Sequence, residues 1–158
     1  MMKVERRILA LDPGFTIGYA LLDYNGGAPV IIHAAQIPLK MNTKRTAFLW
    51  EYVSLSITKF QDMEPDVIIM EDYRLYFKQA LAQVGSRLLT SELIGAICQE
   101  AAMSEIPVVR LMAGVKNNWP IARLNSRYPA YKIAPAPHSR DALLLGLYYI
   151  EHDLGWIP

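Results

Sequence analysis

Two apolar runs near the amino terminus, joined by a Pro-Gly turn, constrain the fold more than any other feature of this sequence. "ILALDP" (8–13) and "TIGYALLD" (16–23) have the pattern of strands, and the link through Pro13-Gly14-Phe15 is short enough for a tight turn. A third apolar run (29–38) follows Asn25-Gly26-Gly27, and Asn-Gly between apolar runs is a strong hairpin signal. The chain is therefore predicted to begin with an antiparallel meander of three strands.

The remainder of the chain alternates between helical and strand-like patterns. Apolar residues at helical spacing predict helices over 43–63, 86–105 and 139–154. Strands are predicted over 66–72 and 107–113, and the four consecutive apolar residues in "DVIIMED" are typical of a buried strand in a parallel sheet. This order predicts a single α/β domain over residues 1–158: a mixed five-stranded sheet, three antiparallel strands then parallel strands, flanked by helices.

Composition narrows the class of protein. An apolar fraction of 53% with 20% charged residues fits a soluble globular chain with a sizeable core. No segment has the 18 or so consecutive apolar residues of a membrane helix, and the first residues lack a signal-peptide pattern. Cys98 is the single cysteine, so we expect no internal disulfide and a cytoplasmic setting. The net charge of +1 neither favours nor excludes nucleic acid as a partner.

Carboxylates stand where regular elements end. Asp12 ends the first strand, Glu71 ends the buried strand, and Asp141 is expected in the first turn of the last helix, with His138 one turn earlier. If the first and fourth strands are parallel neighbours, Asp12 and Glu71 emerge side by side, and residues three apart on a helix face the same way. Such a cluster repels itself unless a cation compensates it, and carboxylates with one imidazole suit Mg²⁺ or Mn²⁺.

The chemistry expected of such a cluster is phosphodiester hydrolysis. Two divalent ions about 3.5–4 Å apart can bind a phosphodiester, activate a water molecule and stabilise the leaving oxygen. Each residue alone has a plainer interpretation: Asp-Pro-Gly is a common turn, and an acid early in a helix is favoured by the helix dipole. The four residues support a metal site only because one fold brings them to one place.

Several motifs, taken in order, resemble those of RuvC-type Holliday junction resolvases, which belong to the ribonuclease H-like superfamily. These are "ILALDPGFTIGYALLD", "DVIIMEDYRLY", "SELIGAICQEAAMSEIPVVRLMAGVKNNW" and "HSRDALLLGLYY", and together they cover nearly the whole chain. The resemblance implies that Asp12, Glu71 and Asp141 are metal-binding acids, with His138 at a position that is an acid or a histidine in this family. It also implies a homodimeric, Mg²⁺-dependent endonuclease that cuts two symmetric strands of a four-way junction.

Candidate DNA contacts follow the second acid. The stretch 71–87 mixes basic residues (Arg74, Lys78 and Arg87) with aromatic ones (Tyr73, Tyr76 and Phe77), a pattern that can bind phosphates and stack on bases. The resemblance implies that Tyr76 or Phe77 wedges into the junction and that Lys116 reaches the cut phosphate. Arg123, Arg127 and Lys132 are candidates for extending this basic face. A helix with core aromatics and solvated bases is the alternative.

The sequence leaves the substrate open. The segment 114–137 is rich in Trp, Tyr and Pro, unlike the bacterial enzymes, and is similar to phage-encoded relatives. The alternatives are a ribonuclease H-like nuclease acting on other branched DNA or on RNA–DNA hybrids, and a non-catalytic junction-binding protein. A phosphotransfer domain of the sugar-kinase type would need a second lobe, for which 158 residues leave no room.

Overall fold

The computed structural model of the protein describes residues 6–38, 56–73, 89–112, 114–115, 120–129 and 136–156. The strands are β1 (Arg6–Asp12), β2 (Thr16–Tyr24), β3 (Val30–Pro38), β4 (Val67–Glu71) and β5 (Val108–Leu111). The helices are α1 (56–61), α2 (Leu89–Met103), α3 (Ile121–Arg127) and α4 (Pro137–His152).

The five strands form one sheet in the order β3-β2-β1-β4-β5. Strand β2 is antiparallel to both β1 and β3, whereas β4 is parallel to both β1 and β5. The predicted mixed sheet is therefore confirmed, including the parallel pairing of the first and fourth strands. Strand β1 is central, which explains why Ile8 to Leu11 are apolar at every position: both faces of this strand are covered.

Alternate residues of the strands belong to two separate cores. On one face, Ala10, Leu22 and Ile69 pack under α4. On the other face, Leu9 and Met70 pack with residues of α1 and α2. Side chains two apart in a strand point to the same face, so this division also decides which way the residues at the strand ends point.

Helix α4 crosses β1 and β2 in the direction opposite to β1. Near its end, the guanidinium of Arg6 donates to the Tyr149 hydroxyl. At its middle, Gly146 lies against Leu22. At its start, the backbone of His138 lies on Gly18, which pairs with Asp12. The first turn of α4 therefore lies at the carboxyl ends of β1 and β4, the edge at which α/β sheets assemble their sites.

The structure differs from the sequence-based expectation at the last helix and before it. Helix α4 begins at Pro137 rather than at 139, because proline is well suited to a first helical position. Helix α3 was not predicted: it is seven residues long, too short for apolar periodicity, and begins after Pro120. Only the end of the predicted helix over 43–63 is described. No helix in the described part of the chain is long and apolar enough to cross a membrane.

Candidate active site

Asp12 and Glu71 are the last residues of two neighbouring parallel strands. Leu11 pairs with Met70, so the two acids are the next residues along β1 and β4. Asp12 has the same parity as Ala10, and Glu71 has the same parity as Ile69, which places both on the face covered by α4. Both are partly buried. The strand arrangement on which the predicted pairing of these acids depends is therefore present.

His138 is hydrogen-bonded to Asp12. Its Nδ1 lies 2.9 Å from Asp12 Oδ2, and the side chains are 47% and 14% exposed. Because an ionised carboxylate can only accept, Nδ1 carries the proton and donates it, which leaves Nε2 directed elsewhere. A histidine held by a carboxylate in this way has a fixed tautomer and ring orientation. The residue predicted to act with Asp12 thus touches it, across 126 positions of sequence.

Asp141 lies on the same helix but not in its first turn. Since α4 begins at Pro137, Asp141 is the fifth helical residue and belongs to the second turn, so the predicted first-turn position was wrong. The cause is the earlier start of the helix at proline. His138 and Asp141 remain three apart, and such residues are neighbours on a helix surface. Asp141 is partly buried.

Gly18 allows the helix to start beside Asp12. A Cβ atom built on Gly18 would lie 1.8 Å from the carbonyl oxygen of His138 and 2.8 Å from the amide nitrogen of Ser139. Only a residue without a side chain lets the first turn of α4 approach the sheet this closely. Sequence reasoning missed this role, although a glycine inside an apolar strand is a signal of close backbone approach.

An ion pair supports the end of β4 beside Glu71. The Arg110 guanidinium, on β5, bonds to the carboxylate of Asp72. The amide of Asp72 also donates to the Leu111 carbonyl at 2.7 Å. These two contacts hold the residue that directly follows Glu71. They were not predicted, because they join residues 38 and 39 positions apart.

Two further arginines have structural roles. Arg123, a candidate for the basic face, forms an ion pair with Glu151 at 2.9 Å and joins α3 to α4, so it is not a freely presented cation. Arg7 pairs with Asp23 at 2.9 Å near the amino end of β1, away from the acids. The hydrogen bond from Arg7 to Asp23 raises the pKa of the guanidinium, so it stays charged.

Solved structures with a similar fold include Holliday junction resolvases. Thermus thermophilus RuvC in complex with a Holliday junction substrate has a TM-score of 0.73 and 13% identity, covering 96% of this chain and 97% of its own. The fowlpox virus resolvase, in complex with Holliday junction DNA, has a TM-score of 0.62 and 18% identity, covering 94% and 99%. The yeast mitochondrial Holliday junction resolvase has a TM-score of 0.63 and 12% identity, covering 95% and 80%.

The chain has the RuvC fold. This confirms, for the fold, the resemblance seen in the sequence motifs. At these identities the likeness concerns the arrangement of helices and strands, and no protein-family model or curated protein sequence matches the chain. The interpretation of Asp12 and Glu71 as metal-binding acids therefore depends on the geometry of this chain.

Most of the predicted DNA contacts of this RuvC fold lie outside the described residues. These are Arg74, Tyr76, Phe77, Lys78, Arg87 and Lys116, together with Lys132. Arg127 is described and exposed in the last turn of α3. The candidate basic residues that the structure describes are thus Arg127, which is exposed, and Arg123, which pairs with Glu151.

The donor set at this edge has the chemistry of a site for a hard divalent cation. It comprises three carboxylates and one imidazole, which suit Mg²⁺ and Mn²⁺. In the described ranges, however, no three His, Cys, Asp or Glu side chains are grouped closely enough to hold an ion together. The backbone places the four residues at one edge, and His138 contacts Asp12 directly. The four side chains are of the types that bind such an ion, and they lie at one edge of the sheet. Their role as metal ligands stays a prediction.

Proposed function

We propose that this protein is a structure-selective, metal-dependent DNA endonuclease that resolves four-way junctions by paired phosphodiester hydrolysis. The observation that carries the proposal is the placement of Asp12 and Glu71 at the adjoining ends of β1 and β4, with His138 bonded to Asp12. Support also comes from the fold, since the neighbours at TM-scores of 0.73 and 0.62 were solved with Holliday junctions.

In the proposed mechanism the four residues would hold the metal ions and orient the ligand groups. Asp12 and Glu71 would bind divalent ions, with Asp141 and His138 completing the ligands. The ions, when bound, polarise the phosphate and lower the pKa of the attacking water. The hydrogen bond from His138 Nδ1 fixes the orientation of the Asp12 carboxylate, so that the ligand needs little rearrangement. Because hydrolysis uses water, no side chain has to act as a nucleophile.

Paired cleavage requires two active sites, so we propose a homodimer. Helix α2 is the candidate interface, since the exposed positions on it include small residues such as Ser91 and Gly95. The mass of the protein in solution, measured by light scattering at several concentrations, tests this directly. A mass of one chain at concentrations that support junction cleavage would contradict the dimer.

The first experiment compares cleavage of labelled four-way junction, linear duplex, single strand and RNA–DNA hybrid, with Mg²⁺, with Mn²⁺ and with a chelator. The variant Asp12→Asn removes the central charge while keeping the shape of the side chain. Asp62→Asn is the matched control, because Asp62 is exposed and precedes β4 at the opposite edge of the sheet. We expect symmetric metal-dependent nicks in the junction, abolished in Asp12→Asn and unchanged in Asp62→Asn.

The other outcomes separate the alternatives. Cleavage of hybrids or of other branched DNA would keep the metal site and change the substrate. Junction binding without cleavage, with either ion, would make the protein a non-catalytic junction-binding protein.

A further inference from the structure

An exposed phenylalanine stands in the turn that directly follows Asp12. Phe15 is 61% exposed, between Gly14 and the first residue of β2. Single exposed apolar residues are common on proteins, so exposure alone carries no function. Among the described residues, the other large exposed apolar side chains are aliphatic or methionine: Val30, Ile32, Met103 and Met112. Phe15 is thus the exposed aromatic of the described surface, and it lies at the edge that carries the acids.

The covalent chain keeps Phe15 close to whatever Asp12 binds. The two positions are three residues apart along the chain, and three fully extended residues span at most about 11 Å. A stacked DNA strand advances about 3.4 Å per nucleotide. A phosphate held at Asp12 therefore has Phe15 within a few nucleotides of it.

The flanking structure presents the ring rather than burying it. Asp12 pairs with Gly18, so the turn is held between two paired strands and the ring lies outside both cores. Stacking of a base on an aromatic ring does not depend on sequence, because every base has a π-face. In an intact duplex the base faces are already stacked on their neighbours, whereas a branch point offers bases that can be unstacked.

We propose that Phe15 stacks on an unpaired base of the strand being cut, next to the phosphate at the acids. This inference rests on the proposed function. It adds a contact made by the β1–β2 turn that is separate from the aromatic residues after Glu71. The group that Phe15 binds is a nucleobase, and the contact favours branched over linear DNA.

The test measures binding in EDTA, so that cleavage plays no part. The probes are a four-way junction with 2-aminopurine within three nucleotides of the branch point, and a linear duplex of the same sequence. Phe15→Ala removes the ring, and Phe15→Tyr keeps it. Val30→Ala is the control, because Val30 is 49% exposed at the start of β3, where it pairs with Asp23, away from the acids.

We expect Phe15→Ala to weaken junction binding by about 5- to 150-fold, the usual range for one stacked base. Duplex affinity should change much less, and Phe15→Tyr and Val30→Ala should keep the affinity of the parent. The 2-aminopurine fluorescence change on binding should disappear in Phe15→Ala. Because Phe15 is exposed, the variant should melt at the same temperature as the parent.

Two results overturn the inference, and they differ from each other. If the parent binds junctions and Phe15→Ala binds them equally well, Phe15 does not stack on an unpaired base. The same conclusion follows if Phe15→Ala loses as much affinity for the duplex as for the junction. If the parent binds no branched DNA, the proposed function is wrong and this role of Phe15 is wrong with it.

Discussion

The contact between Gly18 and the start of α4 gives a prediction that can be worked out from the structure. In Gly18→Ala the new methyl carbon would lie 1.8 Å from the His138 carbonyl oxygen, whereas ordinary contact begins at 3.4 Å. The nearest atoms are backbone, so no side chain can rotate away. The first turn of α4 must move by about 1.6 Å relative to β2.

This displacement acts on the site more than on the fold. A shift of that size lengthens the contact of 2.9 Å between His138 and Asp12 beyond hydrogen-bond distance. Overpacking of this kind costs about 1–3 kcal/mol, which a domain stable by about 5–15 kcal/mol survives. A misplacement of about 1 Å in a catalytic group lowers rates by about 100-fold. We therefore expect a folded protein whose single-turnover junction cleavage is at least about 100-fold slower.

The matched control is Gly27→Ala. Gly27 is exposed in the turn between β2 and β3, and the nearest atom to a Cβ there is the side-chain oxygen of Asn25, at 3.3 Å. That oxygen ends a side chain that can rotate, so this variant should cleave like the parent and unfold within about 0.5 kcal/mol of it. The assays are urea unfolding, single-turnover cleavage and the NMR signal of the His138 Nδ1 proton. A Gly18→Ala protein with the parental rate, stability and Nδ1 signal would refute the argument.

Three further predictions concern residues around the site and the core. Arg110→Gln breaks the ion pair with Asp72, and we expect junction cleavage to fall by about 10- to 100-fold while urea unfolding changes by less than about 1 kcal/mol; an unchanged rate would show that the pair does not support Glu71. Ile69→Ala, at a fully buried position, should lower the free energy of unfolding by about 2–5 kcal/mol, and a smaller loss would mean that the sheet repacks. The hydroxyl of Tyr128 is buried without a hydrogen-bond partner among the residues that the structure describes, and burial raises its pKa to about 12. Between pH 10 and about 12 that hydroxyl is ionised in the unfolded chain and still protonated in the folded one, so the unfolded state binds fewer protons and stability falls as the pH rises. Tyr128→Phe should therefore be more stable at neutral pH and lose less stability over that range in unfolding measurements; the same pH dependence in both proteins would contradict this.

Local patterns were sufficient to predict the sheet. The Asn-Gly turn and the apolar runs on either side of short turns indicated the antiparallel strands, and the uninterrupted apolar run ending at Glu71 indicated a strand covered on both faces. The parallel pairing of β1 with β4 then placed Asp12 beside Glu71. These features depend on residues close in sequence or on a pattern that reports burial directly.

Contacts between distant segments could not be predicted in the same way. The role of Gly18 depends on a helix that lies more than a hundred positions later, and the pairing of Arg123 with Glu151 depends on where α3 packs. A charged residue has the same appearance in a sequence whether it binds DNA or another side chain. Helix α3 is too short to show a period, so tertiary contacts of Leu124 define it instead.

The contact between His138 and Asp12 also has a consequence for the order of events during synthesis. Strands β1, β2 and β4 can pair once the first part of the chain has emerged from the ribosome, but the imidazole beside Asp12 arrives with α4, the last helix described. At about 5–20 residues per second, several seconds separate the two events. A nascent chain therefore carries its first acids without the helix that completes the edge, and it gains its candidate cutting site only after α4 has been made.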